Sequence, residues 1–180
     1  MADGDWKEAG GDTPQAPVGD HSLLSSLNID DFRLTDNAKF QQLSKELADL
    51  QKNILKDEKE GRLYNYVENP SLLGDYLGKL RLRCAELYSF SNLYIDILSD
   101  LQREYALKRQ GLYVETLNKP KGSPSGAEKH AREMTRIDES KIGFIENCLQ
   151  QVKNEYQRYD GICIYLQSRM KEFNTERMTA

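Results

Sequence analysis

Groups that do chemistry are scarce in this chain of 180 residues. Its two histidines are His21 and His130, and neither has a nucleophile or a paired carboxylate close by at helical spacing. No glycine-rich stretch leads into a helix with a Lys-Ser or Lys-Thr pair, so nucleotide hydrolysis is not indicated. The three cysteines, Cys84, Cys148 and Cys163, have no metal-ligand spacing, and their places on or beside apolar seams suit buried, reduced thiols. Apolar runs stay well short of the roughly 18 residues that cross a bilayer, and the N-terminus is acidic where a signal peptide is basic. These absences predict a non-enzymatic protein without cofactor, metal or membrane span. Its expected location is the cytoplasm, or the host cytoplasm if it is viral.

What the chain does contain is heptad pattern. Leu73, Leu77, Leu80, Cys84, Leu87, Ser91, Tyr94, Leu98, Leu101 and Tyr105 step by alternating fours and threes, and Leu112 returns to register beyond Lys108. A second stripe runs through Ile145, Leu149, Val152, Tyr156, Tyr159, Cys163, Leu166, Met170 and Phe173. A mean spacing of about 3.5 residues predicts two long helices supercoiled left-handedly around each other. At 1.5 Å per residue such a hairpin is about 65–70 Å long, and it has no room for a deep catalytic pocket. Composition agrees, since 38% hydrophobic against 30% charged residues suits exposed helices better than a thick core. A compact three-helix bundle is the alternative arrangement for the same two stripes.

The two arms are joined by Lys119-Pro-Lys-Gly-Ser-Pro-Ser-Gly126, where two prolines and two glycines oppose helix. The second arm is expected to restart with Ser125 as N-cap and Glu128 as its capping-box partner. Upstream, Asn69-Pro70-Ser71 ends an earlier segment. A shorter helix precedes it, with Phe40, Leu43, Leu47, Leu50 and Ile54 as its apolar face, Asp36 as N-cap and Gly61 near its stop. The predicted fold class is therefore all-α: a long antiparallel, coiled-coil-like helical hairpin plus a shorter N-terminal helix. Residues 1–35 read as a disordered acidic tail, and residues 36–180 as the helical domain with a basic turn at 118–126.

Charge divides the chain the same way. Residues 1–36 hold eight acids and two bases, a net −6 against −4 for the whole, which leaves the remainder at +2. Within the tail Leu23, Leu24, Leu27, Ile29, Phe32 and Leu34 form an apolar cluster among aspartates, the composition of a segment that orders on a partner. A short element packing back on the bundle accounts for the cluster equally well. The positive charge gathers around the turn: Arg103, Lys108, Arg109, Lys119, Lys121, Lys129, Arg132 and Arg136 oppose Glu104, Glu115, Glu128 and Glu133, a net +4. A basic stripe along two helix ends and their loop is a phosphate-binding footprint, whereas the bland reading is a solvated charged face. Of the ten tyrosines, Tyr94, Tyr105, Tyr156 and Tyr159 lie on the seams as core, and Tyr113, among the bases, is the candidate for base stacking.

The order of a long helix, Ala106-Leu107-Lys108-Arg109, a tyrosine-bearing end at Tyr113, a Gly/Lys-rich loop and a second long helix resembles the UvsY family of phage recombination mediators. The resemblance covers roughly residues 72–173. It departs from the family's Ala-Leu-Lys-x-Arg stretch in placing the arginine one residue early, at Arg109. The family's tyrosine pair is reduced to Tyr113 followed by Val114. The resemblance implies a protein that binds single-stranded DNA and helps a RecA-like recombinase displace single-strand-binding protein, working as a homo-oligomeric ring. It also implies that Lys108, and approximately Arg109, contact DNA. A coiled-coil adaptor or assembly scaffold for protein partners is the other function class compatible with this sequence.

Off-seam apolar residues bear on assembly. Tyr88, Phe90, Ile95, Ile97, Ile142, Phe144, Ile162, Ile164 and Tyr165 exceed what two helices can bury, so they are expected to pack on the shorter helix, on further copies of the chain, or on both.

Overall fold

A computed structural model of the chain describes residues 22–64 and 71–179, and among these there is no strand. Helix α1 (Leu23–Ser26) and a 3-10 turn (Ile29–Phe32) precede α2 (Ala38–Lys59) and a second 3-10 turn (Arg62–Tyr64). Three further helices follow: α3 (Leu72–Leu117), α4 (Pro124–Met134) and α5 (Arg136–Thr179). The long antiparallel hairpin expected from the heptads is present, with α3 as one arm and α4 and α5 as the other. No described helix is long and apolar enough to cross a membrane.

The heptad stripes are the seam. Leu80, Leu87, Leu101, Ile145, Val152 and Leu166 are fully buried between α3 and α5, and each contributes about 1.5–3 kcal/mol through burial. Cys84, Cys148 and Cys163 are buried free thiols. Desolvation, followed by the neighbouring Cys163, pushes the Cys84 thiol up to about 12, so it stays protonated and unreactive. Ser91, which interrupts the apolar stripe, is nevertheless buried.

Helix α2 covers one side of this seam. Phe40 meets Phe90 edge to face at 5.7 Å, Glu46 pairs with Arg83 at 2.7 Å, and the Tyr76 hydroxyl donates to Asp57 at 2.6 Å. These contacts set α2 antiparallel to α3. Against α5 it runs parallel, with Arg158 donating to Gln51 at 2.7 Å and Tyr165 donating to Glu58. Half the rod is thus a three-helix bundle, a combination of the two arrangements the stripes allowed.

Four local expectations are corrected. The N-cap of α2 is Asn37, whose side-chain oxygen accepts from the Phe40 N–H at 2.9 Å, while Asp36 is engaged with the Thr35 hydroxyl. The turn is shorter than the sequence suggests, because Pro124 begins α4 at a position where its missing donor costs nothing. Ser123, not Ser125, caps that helix by accepting from the Gly126 N–H at 3.1 Å. Between α4 and α5 the arm is interrupted at buried Thr135, whose hydroxyl donates back to the Ala131 carbonyl at 2.9 Å. Gly61 does mark the stop of α2, at φ +71°. Asn69 and Pro70 lie outside the described residues.

A fifth correction concerns the tail. Residues 22–35 are folded onto the hairpin, so the packed part begins before residue 36. Of the residues assigned to an external partner, Leu24 is buried, Leu27 and Phe32 pack against the core, Ile29 is half-buried and Leu23 is exposed; neighbouring Leu34 is buried too. The physical reason is a set of distant polar anchors. The Glu104 carboxylate accepts from the Ser22 hydroxyl at 2.9 Å and from the Leu24 and Leu23 N–H groups at 3.1 and 3.2 Å. From α5, Lys141 donates to the Leu24 carbonyl at 2.5 Å. Farther along, the Phe32 carbonyl accepts from the Tyr94 hydroxyl at 2.8 Å. Asp3, Asp5, Glu8, Asp12 and Asp20 lie outside the described residues.

Glu104 makes this docking sensitive to acid. Desolvation raises its pKa, but the hydrogen bonds from Leu24, Ser22 and Leu23, with nearby Arg103, outweigh it and hold the carboxyl below the usual glutamate value. A lowered folded value stabilises above the unfolded pKa and is lost as pH falls through the folded one. Glu104→Gln, or acidification through that window, should speed proteolytic cleavage within residues 22–34. Helical content should hardly change. Unaltered cleavage in both cases would show that Glu104 does not anchor the segment.

Candidate nucleic-acid interface

The end of the hairpin is built by a tight reversal. The Asn118 N–H donates to the Val114 carbonyl, Lys119 to Thr116 and Gly122 to Lys119 at 2.8 Å, which satisfies two of the last carbonyls of α3 and closes the turn. Lys121 adopts φ +70°. Gly122 lies so close to the end of α3 that a Cβ there would run into the Leu117 carbonyl oxygen and come within 2.7 Å of the Thr116 one.

Around this turn the predicted basic residues come together from α3, the loop, α4 and the start of α5, but most arrive with a carboxylate. Lys108 reaches across to Asp138 of α5 at 2.7 Å, and Arg109 to Glu128 of α4. Arg103 pairs with Asp100 at 3.3 Å, Lys119 with Glu115 at 3.2 Å and Lys129 with Glu133 at 4.0 Å. Lys121, Arg132 and Arg136 make no ion pair among the described residues and are exposed. Tyr113, on the last turns of α3, is half-buried.

The pairs differ in what they cost to open. Glu128, Glu115 and Glu133 are all more than half exposed, so each pair is screened by water and exchanges easily for an incoming phosphate. Arg109 also donates to the Tyr105 hydroxyl at 3.3 Å, which orients it along α3. Asp138 is different, with only 9% of its side chain exposed beneath Lys108. Moving Lys108 to a phosphate would strand a buried carboxylate. The lysine singled out by resemblance is therefore a bolt between the two arms, and the available positive charge lies on Lys121, Arg132 and Arg136.

Large apolar side chains surround the same end. Leu107, Met134 and Ile137 are each more than half exposed. Along the rod, Phe90 and Ile142 are buried and Ile97, Phe144 and Ile162 pack partly against the core, as the excess of apolar residues suggested. Tyr88, Ile95, Ile164 and Tyr165 stay exposed. An open groove of about 340 Å³ runs between α3 and α5 past Tyr88, Tyr156 and Ile164. Among the described residues no cluster of three or more histidine, cysteine or acidic side chains is arranged to hold a metal ion. No family model, curated protein or solved structure matches the chain.

Proposed function

We propose that this chain is a non-enzymatic recombination mediator that grips single-stranded DNA at the turn end of its hairpin. It would then help load a RecA-like recombinase onto strand covered by single-strand-binding protein. The observation that supports the reading is that exposed Lys121, Arg132 and Arg136, without ion pairs among the described residues, lie with exchangeable Arg109, Lys119 and Lys129 on the segments that flank the turn. One such end makes few phosphate contacts. A homo-oligomer, such as a ring, repeats them on one strand and gains through effective concentration. Exposed Leu107, Met134 and Ile137, with the Tyr88 and Ile164 groove, offer apolar surface for that assembly.

The test is titration of a fluorescent oligothymidylate at rising salt, which should give a slope of about −0.7 per phosphate neutralised. Replacing Lys121, Arg132 and Arg136 with glutamine should reduce the slope by about 2. Lys108→Ala should leave the slope near wild type and lower thermal stability. Absence of binding by the wild-type chain would sink the DNA reading. A second reading, a coiled-coil scaffold for protein partners, is favoured by one observation: Arg103, Lys108, Arg109, Lys119 and Lys129 already have carboxylate partners. That protein would retain the oligomer and ignore the oligonucleotide.

A further inference from the structure

Positive charge without ion-pair partners also lies away from the turn. Lys52, Lys56 and Lys59 of α2 lie at helical spacing along one side of an open groove of about 880 Å³, and Arg158 of α5 lines it too. None of the four cations makes an ion pair among the described residues. The acids beside the lysines in sequence have partners of their own. Asp57 is buried against the Tyr76 hydroxyl and Arg62, Glu58 accepts from Tyr165, and Glu60, the one acid among the described lining residues, pairs with Arg62. The other side of α2 shows the contrast, because Glu46 and Asp49 there share a groove with Lys79 and Arg83. The α2 dipole favours cations in its last turn, which covers Lys56 and Lys59. It does not cover Lys52 or Arg158.

We propose that this α2/α5 groove is a second anion-binding surface, one that takes the phosphodiester backbone of single-stranded nucleic acid. An open trough whose described lining holds four cations without ion pairs and one large apolar residue, Leu55, fits a flexible polyanion better than an enclosed small molecule. The lysines rise about 6 and 4.5 Å along the helix axis, a ladder that a single strand can follow. The proposal rests on the single-strand reading of the turn and extends it. Arg136 and Arg158 are separated by about 33 Å along α5 at 1.5 Å per residue, so a strand leaving the turn would be led down the rod to the groove.

The test uses the full chain with Lys52, Lys56 and Lys59 all changed to glutamine, and two fluorescent oligothymidylates, one too short to span about 33 Å and one several times longer. With the long probe the salt slope should fall by about 2, and Lys→Arg at the same three positions should restore it. The short probe, held at the turn, should lose much less. All three side chains are exposed, so the fold should survive, and an unchanged helical circular dichroism spectrum of the triple variant verifies it; Arg158→Gln, measured alone, should reduce the slope by about 0.7. A wild-type chain that binds with a slope unmoved by either variant overturns the groove and leaves the turn standing. A wild-type chain that binds neither probe overturns the single-strand reading itself. A polyglutamate peptide whose binding is reduced as strongly by the same variants would overturn the assignment to phosphodiester.

Discussion

Gly122→Ala should cost the protein about 3 kcal/mol, enough to lower the thermal midpoint by roughly 10 °C. The cause is steric. A Cβ at this position would press into two backbone carbonyl oxygens at the end of α3, those of Leu117 and Thr116, and neither can rotate away as a side-chain tip would. The turn has to open, which breaks the Gly122-to-Lys119 hydrogen bond and shifts the start of α4. Gly111 supplies the control, since it lies inside α3 and a methyl group added there would have nothing within 4 Å. Gly111→Ala should stabilise by about 0.5–1 kcal/mol, because alanine costs less backbone entropy in a helix. Equal effects of the two substitutions in a melting experiment would contradict the close approach at the turn.

Tyr159→Ala should destabilise by about 3–5 kcal/mol, the range for removing a large ring from a packed core. Tyr159 is 1% exposed at the seam, with the Arg158 guanidinium 5.3 Å from its ring centre. Tyr88, only one layer out, is 56% exposed, and Tyr88→Ala should change monomer stability by less than about 1 kcal/mol. The pair separates two roles for tyrosine. If the apolar strip past Tyr88 is where copies meet, Tyr88→Ala should lower the mass in solution without a comparable loss of helix. A large loss of stability at Tyr88 with little at Tyr159 would reverse the assignment of inside and outside.

The seam was legible because period 3.5 is a property of single helices, so Leu80, Leu87, Ile145 and Val152 could be placed without knowing what they touch. The docking of residues 22–34 was not. Leu24, Phe32 and Leu34 share no period, and their anchors at Glu104 and Lys141 are some 80 residues or more away in the chain. The basic turn shows the same divide. Lys119 with Glu115 and Lys129 with Glu133 are pairs at helical spacing and readable as such, whereas Lys108 with Asp138 depends on how the arms reverse. Counting charge by window also concealed the α2 groove. Asp57, Glu58 and Glu60 cancel the neighbouring lysines in sequence, and only folding engages those acids with Tyr76, Tyr165 and Arg62.

The course of the chain implies an order of assembly. α3 and the α4–α5 arm meet across a reversal of a few residues, so pairing can begin there and zip toward the open end with little loop entropy at each step. α2 can meet α3 early, through near neighbours in sequence such as Asp57 and Tyr76, but its contacts with α5, such as Gln51 with Arg158, are 107 positions apart and complete only after that zipper has passed. The same layer is then the natural first to peel. Amide exchange should resolve the molecule into a slowly exchanging two-stranded spine and a faster outer strap, although the folded chain is one continuous rod.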